Sequence, residues 1–480
     1  MKQKIVQGGI AVMLRQVLSS PINAVGVFLA SRWLSLFDFG IQAVILSVVG
    51  FVLFVIDLGT SSALIQRKPP PSKKLVWKIQ AIKLVMLVGV TIALELLSPW
   101  LLGWFSLSSS LRLLFPVIAL LAWLQSWRDL ESVSLQRNIE WALIARIELA
   151  EIIAYNATLI FVAYQYHSLW SFPIAIGARW LVGSVLLKLA TTEHFTDTAA
   201  AESDLVAVFR LGIPLQASLL LGSVMNLASP VLLGSLLGIA QVGLVNWSFT
   251  IVSLPTLPFQ RLQVFLFSVF SERKRQDLND DSAVTSIVYV TALLMGVLGV
   301  AVALLMPLLI RYGFGNKWVA AIPIIQVMVL ENIFAQPVMM IGTYLMSKGY
   351  GKTWFLINVV NVIGRWGLAG IGTLLLGAEG FSMGWVSGTL ITFLTGCVAA
   401  KRLLGLSIQW YDAVGAALLT IALIKGVTWV TTMQSWSIGL GSVLGLSIGI
   451  GLYLTISGLY SRFVRYSLWD TTYKIVMDFR

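Results

Sequence analysis

The chain has 480 residues, of which 58% are hydrophobic and only 11% charged, against roughly 25% charged in an ordinary soluble domain. A mean hydropathy of +0.88 leaves no room for a large aqueous domain, and a single cysteine, Cys397, excludes disulfides and cysteine-built metal sites. The net charge of +12 comes from lysines and arginines that recur between apolar segments instead of gathering in one domain, which excludes a nucleic-acid-binding reading.

A bilayer crossing needs roughly 20 mostly apolar residues. Runs of that kind fall at 9–30, 41–63, 79–102, 111–127, 145–166 and 168–190. They resume at 211–232, 236–259, 284–310, 320–345, 354–377, 379–400, 412–430 and 437–459, which makes fourteen. The first run carries Arg15, Gln16, Pro21 and Asn23, a poor core for a cleavable signal peptide. The second closes in "VIDLGTSSALIQRKPPPSKK", an acid at the end of an apolar run followed by a strongly basic loop.

With both termini inside, 24 cations fall on inner segments and four on outer ones, namely Arg32, Arg112, Arg311 and Lys317. That asymmetry is what the positive-inside rule requires. The expected protein is an all-α, multi-pass protein of a cytoplasmic membrane with both termini cytoplasmic. The polar stretch "TTEHFTDTAAAESDL" divides the chain, giving a six-helix lobe over 1–190, a linker over 191–206, a second six-helix lobe over 207–403, and two further helices with a tail over 404–480. Gly40 and Gly243 sit in similar contexts 203 residues apart, which fits a parallel repeat of the kind secondary transporters use.

Five cations fall inside the helices: Arg15, Lys83, Arg179, Arg365 and Lys425. A charge near a helix centre costs at least ~2.5 kcal/mol on insertion scales, so it normally faces a partner or water. Lys83 and Glu95 lie near opposite faces and can snorkel to them. Arg15, Ser19 and Asn23 share one helix face, as do Asn358, Asn361 and Arg365. Asn246, Thr250 and Ser253 repeat the pattern, and Gln216 and Asn226 add amides. Such stripes either join helices by hydrogen bonds or line a hydrated cavity. With Arg15, Arg179 and Arg365 on them, a cationic cavity for an anionic cargo is the expectation, because guanidinium groups bind phosphate oxygens in pairs.

Glu331 lies deep in the tenth run, where it is either protonated or paired with an arginine; it is the candidate for ion coupling. Glu148 and Glu151 fall at the expected start of the fifth helix, where the helix dipole favours carboxylates. Asp57 is the candidate gate residue, paired with a basic side chain of the inner loop. No phosphate-binding glycine loop is present, so no ATP hydrolysis, cofactor or metal is expected, and a proton or sodium gradient is the expected driving force.

Four stretches carry a family resemblance: "FDFGIQAVILSVVGFVLFVIDLGTSSALIQRK", "SLQRNIEWALIARIE", "GLVNWSFTIVSLPTLPFQRLQVFLFSVFSE" and "GNKWVAAIPIIQVM". With them the chain resembles the polysaccharide flippases of the multidrug/oligosaccharidyl-lipid/polysaccharide (MOP) exporter superfamily. It departs from the pattern in "FSVFS", where a proline is commonly found. The resemblance implies a MATE/MOP-like arrangement and no enzymatic activity. It also implies an undecaprenyl-pyrophosphate-linked oligosaccharide as cargo, moved from the inner to the outer leaflet for surface polysaccharide biosynthesis. Membrane lipids, a polysaccharide polymerase and glycosyltransferases are the implied partners, with Arg15, Asn23, Arg179, Gln216, Asn358, Asn361 and Arg365 toward the substrate. A drug or other lipid exporter of the same fold, and a membrane-embedded polymerase or ligase, are the alternatives.

Overall fold

Helix α2 (Leu36–Asp57) starts where its cap dictates. The Asp38 carboxylate accepts the Ser35 backbone N–H at 2.7 Å, and the Asp38 N–H donates to the Ser35 hydroxyl at 3.2 Å. This reciprocal pair satisfies two donors that a bare helix start would leave open. The helix ends where Leu58 and then Gly59 turn into positive φ, at 47° and 71°, and the chain re-enters a short α3 (Thr60–Gln66).

The structure is a computed structural model describing residues 2–66, 72–104, 108–190, 204–217, 230–257, 281–433 and 445–455, with isolated positions between 259 and 274. Before α2 lies α1 (Lys2–Trp33), and after α3 come α4 (Lys73–Trp104), α5 (Leu114–Arg137), α6 (Trp141–Tyr166) and α7 (Ser171–Ala190). Next are α8 (Asp204–Ala217), α9 (Ile239–Ser253), α10 (Asp281–Leu309), α11 (Ala321–Lys348), α12 (Gly351–Leu404) and α13 (Trp410–Met433). A last helical stretch described is Gly445–Thr455. Among the described residues nine helices are long and apolar enough to cross a membrane; the fourteen crossings stand as an expectation. Asn226 and most of the 191–206 linker lie outside the described residues.

Two boundaries differ from the sequence reading in a way that matters later. The fourth run, expected to stop at 127, continues as α5 to Arg137, and α6 begins at Trp141, earlier than the expected 145. The first extension brings Arg128, Asp129, Glu131 and Arg137 into a helix, where Arg128 pairs across to α6; the second places Glu148 and Glu151 well inside α6.

α12 is 54 residues long, which at ~1.5 Å per residue is about 80 Å, far beyond a hydrocarbon layer of ~30 Å. It therefore has to pass twice, and it breaks at Leu376 and Gly377, where Gly377 takes φ 63°. The two halves fold back as a hairpin closed by small residues. Gly372 abuts the backbone of Gly380, Gly384 that of Leu368, and Gly388 that of Arg365. In lipid, helix association draws on close van der Waals packing more than on hydrophobic burial, and glycines let the two backbones touch.

By contact density the chain forms two compact units, Met1–Gly243 and Leu244–Arg480. In the first, α1 packs along α6, α6 along α7, and α5 against α7. The starts of α2 and α9 cross at glycine: Gly40 meets the Ile239 carbonyl, and Gly243 meets the Leu36 carbonyl. Arg137 donates to the carbonyls of Leu64 and, at 3.3 Å, Ile65, closing the end of α3. In the second unit, α10, α11 and α12 pack in sequence. Trp247 stacks on Trp318 at 4.2 Å, both fully buried, so two of the sequence stretches that carry the resemblance pack on each other.

Candidate functional site

The first unit gathers a charged cluster on α1, α5, α6 and α7. Arg15 is ion-paired with Glu148. Arg128 binds the fully buried Glu151 through two nitrogens, at 2.8 and 3.3 Å, and lies 3.6 Å from Glu148 and 3.3 Å from Asp129. Arg179 stands 3.9 Å from Glu151 and lies over the Trp180 ring at 4.5 Å. The cluster is built by close approach. Gly183 on α7 abuts the Glu151 carboxylate, and Gly26 on α1 abuts the Asn156 amide. Asn156 in turn donates to Asn23 at 2.9 Å.

Three arginines thus face three carboxylates. The cationic surplus expected of Arg15 and Arg179 is absent in their own surroundings, because the acids that were read as a helix start, Glu148 and Glu151, sit in the body of α6 and meet them. Helix α6 starts at Trp141, two to three turns before those acids, so the dipole reading is corrected: they are internal counter-charges. Arg128 was missed, having been read as an inner-loop cation. The available signal was the run Arg128–Asp129–Glu131, whose charges can compensate one another within a continuing helix.

The second unit holds a smaller version. Glu331 on α11 and Arg365 on α12 form an ion pair at 3.0 Å. Arg365 lies over Trp385 at 5.0 Å, and Trp385 is itself ringed by Phe249, Trp366 and Phe381. Of the two open readings of Glu331, the geometry is that of pairing with a deep arginine. Asn361 accepts the Thr392 hydroxyl at 3.3 Å, while Asn358 donates back to the Trp354 carbonyl of its own helix at 2.9 Å.

A common feature links the three arginines that the sequence singled out. The Nε–H groups of Arg15, Arg179 and Arg365 are buried and make no hydrogen bond among the described residues, whereas that of Arg128 is bonded to Glu151. Buried donors are nearly always paired, and leaving one open costs about 1–3 kcal/mol. Arg15 and Arg365 are each held by a carboxylate through a terminal nitrogen and keep Nε–H for another acceptor, while the Nε–H of Arg179 faces the Glu151 carboxylate at 3.9 Å, beyond hydrogen-bond distance.

The remaining candidates have other partners. Gln216 donates to the Phe54 carbonyl at 2.9 Å and ties α8 to α2. Asp57 binds Lys83 at 2.6 Å, with Ser61 and Thr60 at 2.8 and 3.2 Å. This corrects two expectations. The partner of Asp57 is a lysine of helix α4, not of the inner loop, and Lys83 does not snorkel: it is 2% exposed because its ammonium reaches a carboxylate two helices away. Glu95 pairs with Arg112 at the exposed end of α4. Among the described residues no group of three or more His, Cys, Asp or Glu side chains is placed to hold a metal ion.

A family model described as "Polysaccharide biosynthesis protein" matches residues 28–323. None of the curated proteins matches the chain. Among solved structures, the lipid II flippase MurJ in an inward closed conformation is 13% identical, with a TM-score of 0.73 over 95% of this chain and 99% of that one. An inward-facing multidrug resistance MATE family transporter of the MOP superfamily is 13% identical, with a TM-score of 0.62 over 82% and 97%. A Vibrio cholerae MATE transporter is 15% identical, with a TM-score of 0.52 over 85% and 98%. At such identities the likeness is one of fold.

Proposed function

Because the chain belongs to the family of polysaccharide biosynthesis proteins and has the fold of MOP-superfamily transporters, we propose that it moves a lipid-linked oligosaccharide across a membrane. The cargo we infer is an undecaprenyl-pyrophosphate-linked oligosaccharide, carried from the inner to the outer leaflet of a bacterial cytoplasmic membrane by alternating access. One observation supports this most: Arg15, Arg179 and Arg365 each hold a buried Nε–H without a hydrogen-bond acceptor among the described residues. A phosphate oxygen satisfies such a donor, and a charge-assisted bond to it is roughly twice as strong as a neutral one.

In this reading the carboxylates are place-holders for the cargo. Glu148 holds Arg15 in the first unit and Glu331 holds Arg365 in the second, so that neither guanidinium is left uncompensated in a low dielectric. The incoming diphosphate competes for the same donors, and protonation or sodium binding at the displaced carboxylate is a natural route for coupling to an ion gradient. Glu331 is the coupling candidate.

Arg365→Ala should abolish surface polysaccharide while the protein still inserts in the membrane, measured by polysaccharide staining beside membrane-fraction immunoblots. Arg365→Lys should restore export only in part, because an ammonium has no planar fork for two phosphate oxygens. Normal polysaccharide in the alanine variant would remove Arg365 from the site.

A further inference from the structure

The first unit also contains a space of opposite chemistry. A cavity of about 260 Å³ lies between α2, α4, α5 and the short segment at Pro230 and Val231, with no polar surface in its walls. Val44, Val48 and Phe51 of α2 face Leu94 of α4, Leu111 and Ile118 across it. Water does not suit this space, since a buried water needs two to four polar partners, and apolar cavities of roughly 150 Å³ stay dry and accept small hydrocarbons. A peptide segment does not suit it either, because its backbone N–H and C=O groups would find nothing to bond. Only 17% of the most apolar stretch of the α4 wall is buried within the protein, so the outer side of that wall meets the hydrocarbon of the bilayer.

A charged pair stands beside the cavity. Glu95 follows the lining residue Leu94, and Arg112 follows the lining residue Leu111; the two are ion-paired and exposed, at 38% and 56%. An exposed guanidinium with one carboxylate partner retains further donors in its planar fork. A hydrocarbon slot with an accessible guanidinium one residue from its wall has the two parts a phospholipid presents, a chain and a phosphate.

We propose that this cavity is a binding site for a glycerophospholipid of the surrounding bilayer, one acyl chain lying between α2 and α5 and the phosphate resting on Arg112. The site is separate from the charged cluster and does not depend on the identity of the transported cargo. Its role is to fill α2, α4 and α5 to full packing density with lipid.

The test is photolabelling of the full chain in nanodiscs of phosphatidylglycerol that carries a diazirine near the middle of one acyl chain, with adducts located by mass spectrometry. Adducts should concentrate on 41–52 and 111–118. Val48→Trp and Val44→Phe, which fill the cavity from different positions, should each lower that labelling several-fold and leave labelling elsewhere unchanged. Arg112→Gln should weaken it as well. Adducts spread evenly over the exposed faces, or labelling that survives both filling variants, would overturn the site. Displacement of the label by undecaprenyl phosphate but not by unlabelled phosphatidylglycerol would overturn the occupant and assign the cavity to a prenyl chain.

Discussion

Glu151 shows how much a single side chain settles in this protein. It is fully buried, holds Arg128 by two bonds and stands 3.9 Å from Arg179. Removing one partner of a buried ion pair costs about 3–5 kcal/mol, because the other charge is left without compensation. Glu151→Leu should therefore lower stability by an amount of that order, read as a large drop in thermal midpoint of the purified protein in detergent. Restoring neutrality with Arg128→Met in the same chain should recover much of the loss, since a well-packed apolar pair can replace a buried ion pair at little cost. Recovery would show that this bridge is structural, in contrast to the bridges of Arg15 and Arg365, whose open Nε–H groups point to a ligand. Asp57 and Lys83, on helices α2 and α4 that both pack on α5, follow the same rule: each makes the other tolerable at membrane depth.

At the scale of elements, the α12 hairpin is set by glycine. A side chain at Gly388 would run into the backbone of Arg365, and one at Gly384 into that of Leu368. Gly388→Leu should wedge the two halves apart, displace Arg365 from Glu331 and lower export severely, whereas the same change at Gly367, which faces open space, should leave export intact; surface polysaccharide measured at equal protein level decides it. The hairpin itself was legible in sequence, because two long apolar runs met at Leu376–Gly377. The seam was not, since glycine spacing says nothing until the partner backbone is known. The early end given to the fourth run had a similar cause. Arg128, Asp129, Glu131 and Arg137 look like a loop when read singly, and only their partners on α6, α3 and α5 itself make a helix of them. Charge in a membrane helix was correctly taken as costly; what the sequence could not disclose was that each arginine already had an acid.

At the scale of the molecule, two observations favour a duplicated design. The crossing of α2 and α9 is reciprocal: Gly40 meets Ile239 and Gly243 meets Leu36, and both correspondences are 203 residues apart. Glu331 also follows Arg128 by 203 residues, and each unit bridges neighbouring helices there with the polarity reversed: arginine on α5 to glutamate on α6, glutamate on α11 to arginine on α12. The proposed function uses no nucleotide. The chain reconstituted alone in proteoliposomes should move a fluorescent undecaprenyl-pyrophosphate-linked oligosaccharide without ATP, and an ionophore that collapses the proton or sodium gradient should stop net accumulation. Transport that requires ATP would contradict it.

The glycine contacts of α12 carry one more consequence. Because the backbone bearing Arg365 is pressed directly on the returning half, with no side chain between them to flex, the two move as a stiff, two-ply paddle. Any swing of that paddle against α11 is felt at the Arg365–Glu331 ion pair, so a bond between two side chains serves as a gauge of where an entire pair of helices stands.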